Sequence, residues 1–247
     1  MLPCLSMPYD PLRSCLNALF PKRCAGCDLT GAHELLCPPC AGSLVPGDEG
    51  ACPHCGAQDI EREPGTPHGT CGACIYAPPT FRRARGAYAY GGALAHAIRR
   101  WKNLPDSSLT SSVCSLFRGA DWEPWLLDER PTKIIFVPPD RSRLRRRGFH
   151  PAGLLARELA RHLAVPIDSR AVLAPGAYPS SRGQGREKRR VRLRGVFSVE
   201  APLVLGERLL LVDDVMTSGA TAETIARACM RAGAQRVEVA VLARAPR

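Results

Sequence analysis

The chain has 247 residues, 45% of them hydrophobic, and a formal net charge of +11. That length buries one sizeable core and leaves room for a smaller module. It holds no run of about 18 apolar residues, so no membrane-spanning helix and no membrane insertion are expected. An aromatic content of 6% argues against a base-stacking surface.

The first 20 residues, MLPCLSMPYDPLRSCLNALF, lack the basic start and continuous apolar stretch of a secretory signal. Leu12, Cys15, Leu16, Leu19 and Phe20 fall at helical spacing, so a short amphipathic helix is predicted within 1–20. A cytoplasmic location is expected, where thiols stay reduced.

Four CxxC pairs follow: Cys24/Cys27, Cys37/Cys40, Cys52/Cys55 and Cys71/Cys74. A CxxC turn aims two thiolates at one point, and two such turns complete a tetrahedral zinc site. Two structural Cys4 sites are therefore predicted over 21–76, with no open position for catalysis. The simplest pairing is sequential, with Cys24, Cys27, Cys37 and Cys40 in one site and Cys52, Cys55, Cys71 and Cys74 in the other; an interleaved pairing also fits the spacing. The competing explanations are disulfides, disfavoured without a secretion signal, and redox thiols, for which four pairs are too many. His33, His54 and His68 read as loop histidines, and Cys4, Cys15, Cys114 and Cys229 as small core residues. The segment is rich in Gly and Pro and poor in apolar periodicity, so metal must supply most of its folding energy.

Beyond Cys74, IYAPPTFRRARGAYAYGG reads as a linker with one strand near 85–90. Leu94, Ile98 and Trp101 recur at helical spacing and predict a helix over 92–102, with another over 109–117. TKIIFVPP is a buried strand stopped by Pro138 and Pro139. DRSRLRRRGFH reads as a basic loop. Pro151 then opens a helix carrying Leu154, Leu155, Leu159 and Leu163. After a strand near AVLAP comes a long basic stretch; ERLLLVDD is a strand, GATAETIARACMRAG a helix and RVEVAVLAR a closing strand. Strands alternating with helices over 85–247 predict a parallel α/β sheet. Between Arg141 and Arg194 stand 15 Lys and Arg against three acids, Glu158, Asp168 and Glu187. Such a block implies an anionic partner, nucleic acid or a phosphorylated small molecule, or else a plainly solvated surface.

The stretch LLLVDDVMTSGATAET, Leu209 to Thr224, carries the most chemistry. Ligands of open parallel sheets bind beyond the carboxyl ends of the strands, where Asp213 and Asp214 are expected. Paired carboxylates suit a vicinal diol such as that of ribose, and they also suit Mg²⁺. Thr217, Ser218, Gly219, Ala220 and Thr221 open a helix, and their N–H groups, hydroxyls and small side chains make a phosphate cradle. Ribose at the acids and phosphate at the turn describe a ribose 5-phosphate. No Gly-Lys dipeptide occurs, so this is not a Walker A loop. The simpler alternative is an acid pair ending a strand and a hydroxyl capping a helix.

LLLVDDVMTSGAT closely resembles the motif of type I phosphoribosyltransferases that binds 5-phosphoribosyl 1-pyrophosphate (PRPP). The resemblance implies that Asp213 and Asp214 hold the ribose hydroxyls, that Thr217 to Thr221 wrap the 5′-phosphate, and that Mg²⁺ accompanies PRPP. It also implies a pyrophosphate loop at IIFVPPDRSR, with Arg141 and Arg143 facing the leaving group. The longer pattern of four CxxC pairs, RRWK, RLRRRGFH, LRGVF and the PRPP motif resembles the ComF family, over about Phe20 to Arg244. Those are double zinc ribbon proteins with a type I phosphoribosyltransferase-like domain, associated with DNA uptake in competent bacteria. The family usually reads Arg-Gly-Phe-Asn-Gln where this chain has Arg147-Gly148-Phe149-His150-Pro151. Three functions remain open: transfer of phosphoribose to a nitrogenous acceptor; a non-catalytic competence factor binding single-stranded DNA or an uptake helicase; and a PRPP-sensing regulator. Phe149 reads as packing rather than as a base platform.

Overall fold

The computed structural model describes residues 23–30, 35–58, 69–104, 106–126, 130–174 and 195–246. The helix predicted within 1–20, Cys4, Cys15, His33, His68 and the basic stretch beyond 174 lie outside those residues. Six strands are found among them: β1 (Arg83–Ala89), β2 (Lys133–Phe136), β3 (Val172–Leu173), β4 (Ser198–Val199), β5 (Arg208–Met216) and β6 (Arg236–Arg244). The helices are α1 (Pro38–Gly42), α2 (Gly72–Tyr76), α3 (Gly92–Asn103), α4 (Ser107–Arg118), α5 (Trp122–Leu126), α6 (Arg141–Arg147), α7 (Pro151–Leu163) and α8 (Ala220–Arg231).

The β-branched and leucine-rich runs pair in parallel in the order β1-β6-β5-β2, and a parallel bridge from Ile134 to Ile167 extends the sheet past β2. Both faces are covered, so β2, β5 and β6 read as largely apolar runs, whereas outer strand β1 (RARGAYA) does not. Alternate side chains feed two cores. Leu210, Val212, Ala240 and Leu242 pack under α3, α4, α5 and α7 with Ile98, Trp101, Phe117, Trp122, Leu155 and Leu159. Leu209, Leu211, Val237, Val239 and Val241 pack on the other face with Ile225, Ala226 and Cys229 of α8. Truncating a fully buried Trp101 or Trp122 to alanine costs about 3–5 kcal/mol on this account.

The strand expected near 85–90 is β1, an outer strand of the main sheet that starts two residues earlier, at Arg83, and whose residues Ala84 to Ala87 are buried. Arg83 and Arg85 lie over the rings of Trp125 and Trp122, at 4.9 and 5.6 Å, with Arg85 also paired to Asp48 at 2.8 Å. Two expectations need correction. The basic loop DRSRLRRRGFH is largely helix α6, because Asp140 accepts hydrogen bonds from the N–H groups of Ser142 (2.9 Å) and Arg143 (3.0 Å) and Gly148 closes it at φ 75°. The strand near AVLAP is two residues long and pairs with β4 in a separate antiparallel ribbon.

The cysteine-rich segment is fastened to the sheet. Gly47 N–H donates to Ala87 O (3.0 Å), Ala89 N–H donates to Val45 O (2.9 Å), and Pro46 bridges Tyr88, so this chain covers the outer edge of β1. No helix among the described residues is long and apolar enough to cross a membrane.

Candidate phosphoribose site and cysteine clusters

β5 was expected to end at the acids but runs on to Met216, because β6 continues beside it as far as Arg244. On the other side β2 stops at Phe136, opposite Val212, and Val137 N–H donates to Val212 O at 3.0 Å. Asp213 and Asp214 therefore emerge where β5 has lost one neighbour, in the crevice beyond the carboxyl end of β2.

The two carboxylates differ. Asp213 accepts the N–H of Asp214 at 2.8 Å. Burial, reinforced by the neighbouring Asp214 charge, pushes the Asp213 carboxyl up to about 7. Asp214 is paired instead with Lys102 of α3, Nζ to Oδ1 2.8 Å, both side chains largely covered. His150 stands at the N-cap of α7 against Phe136, ring centroids 5.4 Å apart. Burial holds its imidazole down to about 4, against an opposing pull from Asp214. It is a neutral base at pH 7.

Past Met216 the chain bends through Thr217 and Ser218 to Gly219, whose φ of 75° is the left-handed value that glycine adopts without strain. Ala220 then opens α8. The side chains of Thr217, Ser218 and Thr221 are half-buried and Ala220 is buried. Ser218 Oγ accepts the Ala220 N–H at 3.4 Å. Glu223, in the first turn of α8, is drawn aside by Thr80, which donates both N–H and Oγ1–H to it at 2.8 Å. The acids, the bend and the helix start are thus consecutive on one strand end, with the positive end of the α8 dipole behind the bend. Arg141 and Arg143 lie on α6, just after β2 leaves the sheet. Two positions apart on a helix, their side chains diverge; Arg141 is exposed and Arg143 half-buried. Phe149 packs on Trp101 at 5.7 Å.

The eight paired cysteines gather sequentially. The sulfurs of Cys24, Cys27, Cys37 and Cys40 form one cluster and those of Cys52, Cys55, Cys71 and Cys74 another, each within 4.8 Å. The Cys27–Cys37 and Cys55–Cys71 sulfurs are 3.7 Å apart. A tetrahedron with Zn–S bonds of about 2.3 Å has edges of about 3.8 Å. Backbone N–H groups of Gly26 and Cys37 point at Cys24 Sγ (3.3 Å each), and that of Cys71 at Cys52 Sγ (3.4 Å), as suits thiolates. The donor sets fit zinc. His54 is exposed and joins neither cluster, and Cys229 is a buried core residue, as expected.

A phosphoribosyl transferase domain model matches residues 120–247 and a double zinc ribbon model residues 15–75. The "DNA utilization protein YhgH" of Escherichia coli O157:H7 is 31% identical over 222 residues, covering 86% of this chain and 91% of that protein. The "Competence protein F" of Haemophilus influenzae is 29% identical over 228 residues, covering 85% and 96%. The chain belongs to the ComF family. Among solved structures, the glutamine PRPP amidotransferase of B. subtilis aligns at 19% identity and TM-score 0.40, over 58% of this chain and 30% of that one.

Three residues of this ComF-family chain that bear on the site escaped the sequence reading as candidates. Lys102 closes the quoted RRWK, His150 lies in RLRRRGFH, and Arg244 ends β6. A charge at the end of an otherwise amphipathic helix, as at Lys102, was the available signal.

Proposed function

We propose that this ComF-family protein binds PRPP, with Asp213 and Asp214 accepting from the ribose hydroxyls and Thr217, Ser218, Gly219, Ala220 and Thr221 holding the 5′-phosphate. The observation that carries the reading is the unbroken order of acid pair, bend, left-handed Gly219 and helix start on β5 and α8. A phosphate at that bend meets the N–H groups and hydroxyls of the turn and the positive helix end, while the acids just before it reach the sugar. Lys102 and the arginines of α6, Arg141 and Arg143 among them, neutralise the pyrophosphate side. Mg²⁺, bound with PRPP through oxygen ligands, supplies further charge neutralisation at the pyrophosphate. The two cysteine clusters hold structural zinc, through Cys24, Cys27, Cys37 and Cys40 and through Cys52, Cys55, Cys71 and Cys74.

With a nitrogenous acceptor, the acceptor nitrogen attacks C1 of the ribose, the C1–O bond breaks and pyrophosphate leaves. The chain contributes position and charge. His150, a neutral imidazole whose titration senses Asp214, is available to take the proton that the acceptor nitrogen gives up.

The test is calorimetric titration of the zinc-loaded protein with PRPP and Mg²⁺, alongside Asp213→Asn/Asp214→Asn. Saturable binding by the wild type, lost in the double variant, is expected. A folded wild type that binds no PRPP overturns the reading.

A second reading, nucleic-acid contact, is favoured by one observation: α6 exposes Arg141, Arg145 and Arg146 together. Binding of single-stranded DNA that survives Asp213→Asn/Asp214→Asn and falls steeply with salt would place that function on α6. Binding of PRPP with no pyrophosphate release across a panel of amines and bases would identify a sensor.

A further inference from the structure

Arg244 is the last residue of β6 and is 1% exposed, an always-charged group deep in the protein. Its guanidinium serves carbonyls from three places. Nε–H donates to Cys55 O at 2.9 Å. Nη1 donates to Met216 O at 3.0 Å and to Thr217 O at 2.5 Å, and also to Ala245 O at 2.6 Å. Cys55 belongs to the second cysteine cluster. Met216 and Thr217 are the last strand residue and the first residue of the phosphate bend.

Successive carbonyls of a strand point to opposite sides. Two successive carbonyls turned onto one nitrogen require the chain to leave the strand at that point. Arg244 therefore fixes where β5 stops and the bend begins. The same planar fork reaches the Cys52–Cys55 turn, whose backbone is set by its two metal-directed thiols. That turn is pressed tightly onto the sheet. Ala84 N–H donates to His54 O at 2.9 Å, and Gly56, at φ 63°, lies so near Ala84 that a Cβ there would sit 2.6 Å from Ala84 O. Neighbouring carbonyls of one cysteine turn, those of His54 and Cys55, are thus held by β1 and by Arg244. No slack separates the cluster from the bend.

We infer that Arg244 is a positioning residue that makes the geometry of the Thr217–Thr221 bend depend on metal at the second cysteine cluster, so that phosphate binding and zinc retention favour one another. The affinity half of this rests on the phosphoribose reading above; the geometric half does not. Coupling between two sites is reciprocal, so a ligand at the bend must slow zinc loss from the cluster.

Two measurements on the full-length zinc-loaded protein decide it. In the first, amide ¹H–¹⁵N spectra without ligand compare wild type with Arg244→Lys, which keeps the charge but not the fork. Amides of both Thr217–Thr221 and Cys52–Ala57 shift together if Arg244 joins them; unchanged amides in either segment overturn the inference. In the second, zinc release to a colorimetric chelator is followed with and without ribose 5-phosphate. In the wild type the ligand is expected to slow release of one of the two zinc ions at least threefold. In Arg244→Lys, ribose 5-phosphate binds at least tenfold more weakly, and at saturation it no longer slows release. Equal release with and without bound ligand in the wild type, which needs no variant to fold, overturns the inference. A wild type that binds no ribose 5-phosphate sinks the phosphoribose reading instead, and the amide spectra still decide the role of Arg244.

Discussion

Lys102, at the end of α3, reaches Asp214 on β5 at 2.8 Å across more than a hundred residues of sequence. Its charge lowers the Asp213 carboxyl as well, against the larger effects of burial and of Asp214. Lys102→Met removes that restraint and leaves Asp214 covered and unpaired, a loss of about 1–3 kcal/mol. If the acids must be ionised to accept from ribose, the pH midpoint of PRPP binding rises in Lys102→Met. Calorimetric titrations from pH 6 to pH 9 read both effects; an unshifted midpoint would separate Lys102 from the acid pair.

Burial of Asp213 makes stability depend on pH. Its folded carboxyl sits near 7, above the ordinary carboxylate value. The folded state holds that proton more tightly than the unfolded state, so the group stabilises the fold below about pH 4 and loses this as pH rises through 7. Asp213→Asn matches wild type at acid pH and is more stable above pH 7, by about 1–3 kcal/mol. Urea unfolding at pH 4.5 and pH 8 checks the sign. The same variant loses PRPP binding.

His150 gives the opposite dependence. Burial lowers its folded pKa to about 4. Its contribution is fully present above the ordinary histidine value of about 6.5 and is lost as pH falls from there toward 4, because the unfolded chain takes up the proton first. His150→Asn, the residue usual in the ComF pattern, removes this limb. The thermal midpoint of the variant then falls less than that of wild type between pH 7 and pH 4.5. Ring NMR shifts report the titration directly, and an imidazole charging near 6.5 would contradict it.

Legibility followed the range of the interactions. The β5–bend–α8 unit and the cysteine turns are local, and their residue types carry the signal within a few positions. Helix α6 was missed because Arg141, Arg143, Arg145, Arg146 and Arg147 show no apolar period, and its start depends on the single cap Asp140. Strand β1 is legible near 85–90 but its start at Arg83 is not, because Arg83 and Arg85 interrupt any apolar pattern; only the folded protein supplies the tryptophan faces that cover them. Asp213 and Asp214 end the visible apolar run, yet β5 continues, since β6 rather than hydrophobicity sets its length. Lys102, His150 and Arg244 act across the fold; only the charge in the last turn of α3 marks Lys102 locally, and no local pattern announces the other two.

Gly86 offers the sharpest packing test. Strand β1 passes β6 so closely there that a Cβ would lie 2.7 Å from Arg244 Cβ and 2.9 Å from Arg244 N. Neither atom belongs to a flexible side-chain end, so Gly86→Ala must push β1 from β6, at about 1–3 kcal/mol. Gly42→Ala is the control: it meets nothing within 4 Å at the end of α1, where alanine in place of glycine is neutral to slightly favourable. Denaturant midpoints should fall for Gly86→Ala and hold for Gly42→Ala. The strain at 86 lies against the backbone of Arg244, so the Gly86 variant should also shift the amides of Met216 and Thr217; stability lost without that shift would mean β1 yields locally and Arg244 keeps its grip on the bend.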